Sequence, residues 1–207
     1  MATVKRVYDA SGRQAQAALN REAILDAARA LLLGSGYAAT TIPDVARAAG
    51  VSVELVYKRF GGKPGLVSAL VERALEGAGP VPAEQRSDAL PVTDARQLIR
   101  EWGRLTAEVA PRVAPMLLLA RAAAAHDPEL ESLAERLDAA RRTRMTANAR
   151  RLHRSGQLRP GVTVKVAADV LWTYSSPELF DLLVLRSGWT LVRYGAFVTD
   201  GITAQVV

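Results

Sequence analysis

Residues 40–66, TTIPDVARAAGVSVELVYKRFGGKPGL, hold two short helix patterns that meet at a sharp corner. No other stretch of the 207 residues restricts the fold as tightly. Thr41 offers a side-chain oxygen to the exposed amides of a helix start, Pro43 suits the first turn, and Asp44 completes a Thr-x-x-acid capping pattern. These residues predict a helix beginning near Ile42. Val45, Ala46 and Ala49 share one face of it, and Gly50 is free to take the left-handed conformation that stops a helix and reverses the chain. Val51 then precedes Ser52, whose hydroxyl can cap a second helix, and Val56 and Phe60 repeat at the four-residue spacing that docks it on a neighbour. Val53, Glu54, Leu55, Tyr57 and Lys58 are left to face outward. The plan is that of a helix-turn-helix DNA reader.

The flanking sequence supplies support. Residues 21–33 place Ile24, Ala28, Leu31 and Leu32 on one stripe before Gly34-Ser35-Gly36 ends the helix, with Tyr37 packing beneath. Leu66, Leu70, Val71 and Ala74 continue the apolar stripe into a fourth helix that ends near Gly77 and Gly79. The sequence divides into a flexible basic arm at 1–19, a helix-turn-helix domain at 20–79, a Pro-rich linker at 80–92 carrying Pro80, Pro82 and Pro91, and a second helical domain at 93–207. In that last part Thr93 is placed to cap a helix bearing Leu98, Trp102, Leu105 and Val109, and Pro111 and Pro115 interrupt it or start a short one through 117–125. Asp127-Pro128-Glu129 opens a long helix to about Ser155. Its Leu130, Leu133 and Leu137 point inward, and Arg141, Arg142, Arg144, Arg150, Arg151 and Arg154 largely outward. Thr163, Ser176-Pro177-Glu178 and Trp189 begin three further helical segments. With no strand-like alternation and no internal repeat, the expected class is all-α.

In order along the chain, Gly36-Tyr37, Thr40-Thr41, Val45-Ala46, Ala49-Gly50-Val51-Ser52, Val56-Tyr57, Arg59-Phe60 and Lys63 resemble the DNA-binding domain of the TetR/AcrR transcriptional regulators. The resemblance covers residues 20–72 and rests on many positions at fixed spacing. Glu54-Leu55 stands where that family often has Gly-Thr, and Arg59 where it usually has His, so no operator sequence carries over. The resemblance implies that Thr41, Tyr57 and Lys63 meet phosphate oxygens, with Ser52 beside them at the second helix start. Val53, Glu54, Leu55 and Lys58 are then the base-reading surface: Lys58 can donate to guanine, Glu54 can accept from cytosine, and an apolar group can touch a thymine methyl. Glu54 serves equally well as a first-turn acid, and Arg59 as a partner for a phosphate or for an acid of its own domain. Lys5, Arg6 and Arg13 in the arm are either groove contacts or an ordinary leader.

The family likeness also implies that the second domain dimerises and holds an effector. One short recognition helix touches few base pairs, and two related by a two-fold axis read a pseudo-palindrome with half-sites about one helical turn apart. Val166, Val170, Tyr174, Tyr194, Phe197 and Val198 are the candidate dimer face, with ordinary core helices as the competing reading. Trp102, Met116, Leu119, His126, Trp172 and Phe180 are candidate effector-pocket residues, since small-molecule sites are mostly apolar with a few placed polar groups.

Composition agrees. The net charge of +6 is uneven: residues 1–65 carry +4 and residues 66–207 carry +2, which places positive density with the DNA reader. The chain has no cysteine, which excludes disulfides, thiolate metal sites and thiol redox sensing, and no metal or cofactor is expected. No run is long and apolar enough for a membrane span or signal peptide, which predicts a cytoplasmic location. An enzyme is the competing class. It finds no Gly-x-Ser-x-Gly, no His-Glu-x-x-His and no phosphate loop, since Gly61-Gly62-Lys63-Pro64 lacks the spacing, and the only histidines are His126 and His153. A third reading is an architectural DNA-binding protein that needs no effector and shows weak sequence preference. The expected function is a regulator, in this family often a repressor, that binds an operator as a homodimer and is released by a small molecule.

Overall fold

A computed structural model describes residues 10–207; Lys5 and Arg6 of the expected arm lie outside them. The chain forms two compact units, the first ending at Leu66 and the second running from Val67 to Val207. Among the described residues the regular elements are all helical. The division falls inside a helix, not at the prolines beyond residue 79 where the sequence reading put it.

In the first unit α1 (Ala10–Ser35) packs on α2 (Ile42–Ala49), and α2 on α3 (Val53–Phe60). Ile24, Ala28, Leu32, Val45, Ala46 and Val56 of the expected stripes are fully or almost fully buried, as is Leu25 beside them, while Leu31, Ala49 and Phe60 are half-buried. Helix α1 starts eleven residues ahead of the expected Arg21, so residues 10–19 of the supposed arm, Arg13 included, are helical. Ala15, Ala17 and Ala18, of the strongest helix-forming type, together with Gln14, Gln16 and Leu19, account for the extension. Helix α4 (Lys63–Glu76) follows directly and carries the boundary between the units.

The second unit contains α5 (Ala83–Ala89), α6 (Ala95–Ala124), α7 (Pro128–Arg154), α8 (Val164–Tyr174), α9 (Pro177–Phe180) and α10 (Leu191–Val206), with a π-helical stretch, Asp181–Arg186, prolonging α9. Helix α6 packs against α7 and α10, and α8 against α7 and α10. Leu98, Trp102, Leu152, Leu171, Phe180 and Ile202 sit in the common core.

Several expectations change here. Asp94, not Thr93, caps α6, its carboxylate accepting from the amides of Arg96 and Gln97 at 2.8 and 3.3 Å. Pro111 and Pro115 neither break nor start a helix: both lie inside the 30 residues of α6. A proline in a helix interior costs about 3 kcal/mol locally, but Val113, Ala114 and Met116 beside them are buried, and tertiary packing overrides local preference. The expected linker holds α5, whose Ser87 is buried and accepts a hydrogen bond from the Trp102 indole at 3.0 Å. Of the arginines placed outward on α7, Arg150 and Arg154 are exposed. Arg141, Arg144 and Arg151 are mostly covered and reach across to α5 or α8: Arg144 to Glu84 and Asp88, Arg151 to the carbonyls of Ser87 and Leu90, Arg141 to that of Trp172.

Candidate nucleic-acid interface and effector region

The corner between α2 and α3 is built from local bonds. Thr41 Oγ1 accepts from the Asp44 amide at 3.2 Å and donates to the Asp44 carboxylate at 2.5 Å, closing a reciprocal cap. The Thr41 hydroxyl and then the adjacent Arg47 guanidinium hold the Asp44 carboxyl below the usual range. Gly50 stands at φ +67°, a left-handed position where a side chain is strained, and there the chain turns. The amide of Val51 then bonds the Ala46 carbonyl at 3.0 Å. Ser52 Oγ accepts from the Leu55 amide at 3.2 Å and starts α3. At the other end Gly61, again left-handed, donates to the Tyr57 carbonyl at 2.8 Å.

These caps fix which side of α3 meets solvent. Val56 is fully buried, whereas Ser52, Val53, Glu54, Tyr57 and Lys58 are exposed and Leu55 is half-buried. Tyr57 is 51 % exposed, too open to be serving as a packed aromatic. The structure therefore brings Thr41, Ser52 and the outer side chains of α3 together on one unit as expected, with two adjustments. Lys63 donates to the Tyr37 carbonyl at 2.9 Å and its ammonium lies 4.2 Å from the Tyr37 ring. One of its three N–H donors is thus spent holding α4's first turn to the loop after α1. Arg59 Nη2 donates to the Ala17 carbonyl of α1 at 3.2 Å, a partner that neither alternative for Arg59 foresaw.

Gly65 was not singled out from the sequence. A Cβ there would overlap the Phe60 carbonyl oxygen and stand 2.8 Å from its carbon. The end of α3 and the start of α4 fit together only because this position has no side chain. The local Phe-Gly-Gly-Lys-Pro-Gly run was the available signal.

The second unit separates the residues expected at the effector site and the dimer face by their burial. Trp102, Met116 and Phe180 are buried core, and His126 is exposed in the turn before α7. Their apolar character reflects packing, as it does for most such residues at helical spacing. An open groove of about 600 Å³ lies between α6 and α10, lined in part by Arg100, Arg104, Ala107, Leu191, Val192 and Ala196, and none of the six expected residues lines it. Tyr194 and Val198 are buried and cannot form a dimer surface; burial alone pushes the Tyr194 phenol up to about 12. Val166 and Phe197 are exposed, Val170 and Tyr174 partly so. Leu182, Leu185 and Val192, which the sequence reading did not select, are 54 %, 54 % and 84 % exposed.

Trp172 and Leu119 are half-buried. Trp172 lies under two guanidiniums, 4.6 Å from that of Arg141 and 5.4 Å from that of Arg142. Arg141 Nη1 donates to the Trp172 carbonyl at 2.5 Å and to Ser175 Oγ at 3.1 Å, and Nη2 donates to Asp138 at 3.2 Å. Burial, only partly offset by Asp138, lowers the Arg141 pKa from the ordinary guanidinium value. Arg141 Nε and Trp172 Nε1 are sealed from solvent without an acceptor, each at a cost of about 1–3 kcal/mol.

Residues 24–70 match the model of bacterial regulatory proteins of the tetR family. Over 66 residues the chain is 47 % identical to the HTH-type transcriptional regulator AlkX of Mycobacterium tuberculosis, a stretch that is 32 % of this chain and 30 % of that protein. Over 65 residues it is 38 % identical to the uncharacterized HTH-type transcriptional regulator YvkB of Bacillus subtilis, covering 31 % and 34 % of the two chains. The match thus spans about a third of each relative's length. Among solved structures, the SmeT–triclosan complex superposes with a TM-score of 0.69 at 26 % identity over 91 % of both chains. NalD, the secondary repressor of the MexAB-OprM multidrug efflux pump in Pseudomonas aeruginosa, superposes at 0.70 with 22 % identity over 93 % of this chain and 98 % of that one.

Proposed function

We propose that the chain, whose residues 24–70 match the model of bacterial regulatory proteins of the tetR family, is a sequence-specific transcriptional repressor that binds a pseudo-palindromic operator as a homodimer and is released by a small molecule. The observation that carries this reading is the capped α2–α3 corner, which leaves Val53, Glu54, Tyr57 and Lys58 exposed on one helix while Val56 locks its other face.

Tyr57 anchors a phosphate through its hydroxyl donor, Thr41 does so by turning its single O–H from the Asp44 carboxylate to the phosphate, and Lys63 joins them with the N–H groups that Tyr37 does not use. Val53, Glu54 and Lys58 read base edges, with Leu55 at the margin of that surface. Among the apolar side chains open to a partner in the second unit, Val166, Leu182, Leu185, Val192 and Phe197 form the dimer face in place of the buried Tyr194 and Val198. Effector release is supported by the fold it shares with SmeT, which has been solved with triclosan. It works when the ligand binds better to the conformation that fits DNA worse. Cytoplasmic location follows from this function.

The test is fluorescence anisotropy on duplexes from the chain's own promoter region and on random duplexes, across a salt series. Lys63→Ala should weaken binding to every sequence and reduce the salt slope by about 0.9. Lys58→Ala should cost about 1–3 kcal/mol at one base position and relax preference there. Equal affinity for promoter and random duplexes would favour the architectural reading. Identical effects of both substitutions on all sequences would overturn the division between anchors and readers.

A further inference from the structure

Arg141 and Trp172 face each other with a mismatch. The guanidinium lies against the indole ring, which offers a π-face and an N–H but no lone pair for Nε to donate to. Both Nε and Nε1 consequently lack an acceptor. Around them the charges are layered. Arg141 has a side chain only 12 % exposed, whereas Asp138, Asp169 and Glu178, which pair with Arg141, Arg142 and Arg121, are 38 %, 46 % and 53 % exposed. The innermost charge is positive and the carboxylates lie at the rim.

Resting on the regulator reading above, we propose that Trp172 is an internal placeholder in an effector site, and that the effector is a flat aromatic carboxylate. Its ring takes the indole's place over Arg141, and its carboxylate gives Nε the acceptor it lacks. Trp172, partly exposed on α8, turns outward so that Nε1 bonds water. Turning outward satisfies Nε1, and the carboxylate that satisfies Nε can enter only when the indole has left, so the ligand binds the open state alone, which is what it needs to shift the populations.

The probe is benzoate, titrated by calorimetry into the full chain, with acetate (carboxylate without ring) and toluene (ring without carboxylate) at matched concentration. Benzoate should bind saturably at one site per chain, and the other two should not. Trp172→Ala removes the placeholder and should tighten benzoate binding about tenfold, because the cost of populating the open state disappears. Trp172→Phe keeps a ring but has no N–H to leave unsatisfied, so the closed state gains and benzoate should bind several-fold more weakly. Circular dichroism establishes that each variant is folded. Should the alanine variant unfold, the phenylalanine variant carries the test through its opposite sign. No saturable benzoate heat in either the parent or a folded Trp172→Ala chain overturns the site, as does weaker binding by Trp172→Ala than by the parent. Saturable binding that leaves operator affinity unchanged would remove the effector role while DNA binding itself stands.

Discussion

Gly65→Ala opposes two effects whose signs differ. Alanine is favoured over glycine within a helix by up to about 1 kcal/mol, so propensity alone makes the variant more stable. Against this, the new methyl group would overlap the Phe60 carbonyl oxygen and stand 2.8 Å from its carbon. That neighbour is backbone, so it cannot rotate away, and relief requires the end of α3 and the start of α4 to part. Overpacking of well-fitted sites typically costs about 1–3 kcal/mol, and an obstacle of backbone belongs at the upper end. The expected net is a loss of about 2 kcal/mol, corresponding to a fall in melting temperature of about 8–16 °C if the first unit unfolds as a small domain. Operator affinity should fall as well, since the displaced element carries Tyr57 and Lys58. Gly34→Ala is the control. It lies in α1, where an added Cβ meets nothing within 4 Å, so it should gain up to about 1 kcal/mol. The assay is thermal unfolding by circular dichroism with anisotropy on a duplex. A Gly65→Ala chain as stable as Gly34→Ala would refute the steric reasoning.

Three further outcomes follow from the same geometry. Ser52→Ala removes the cap of α3 and should destabilise the chain by about 1 kcal/mol, measurable by denaturant unfolding, whereas Ser52→Gly should lose only a few tenths of a kcal/mol. Two Arg86 bonds, then the Ala78 amide, lower the Glu108 pKa. Its stabilisation is therefore complete above the ordinary carboxyl range and is lost as pH falls through the lowered folded value. The stability gap between the parent and Glu108→Gln, about 1 kcal/mol after solvent screening, should close on acidification, and a gap independent of pH would contradict the assignment. Tyr194, raised to about 12 by burial, contributes stability that is full below the unfolded phenol value and lost as pH rises through the folded one. In the difference spectrum against Tyr194→Phe, phenolate absorbance should appear only near unfolding, and titration at the ordinary phenol value would show the side chain to be open.

Short-range chemistry was legible in the sequence. Thr41, Asp44, Gly50 and Ser52 each act within four residues of themselves, so their types and spacing fix the α2–α3 corner, and the exposure of Tyr57 follows once Val56 is buried. What stayed hidden depends on distant partners. Pro111 and Pro115 read as breaks because the burial of Val113, Ala114 and Met116 that overrides them cannot be seen locally. Tyr194 and Val198 share their stripe with Phe197, and nothing in an apolar pattern separates residues that face their own core from those that await a partner. Arg141 and Arg144 look like a solvated face until α5 and α8 are in place. Trp172 was legible as a candidate for a site, but its unsatisfied nitrogen was not.

The anchoring of α5 bears on how the second unit assembles. Seven residues are too few to hold a helix in water, where isolated helices below about 12–15 residues are marginal. Helix α5 is held by Arg144 and Arg151, some 56 to 64 residues further along the chain, and by the Trp102 indole. Closing loops of that length is slow to be rewarded during folding, so the part of α5's order that rests on Arg144 and Arg151 is expected only once α7 has docked. In native-state hydrogen exchange its amides should open together, at a free energy set by Arg144 and Arg151 and not by the segment's own sequence. Exchange of α5 amides unchanged by Arg144→Ala and Arg151→Ala would refute that dependence.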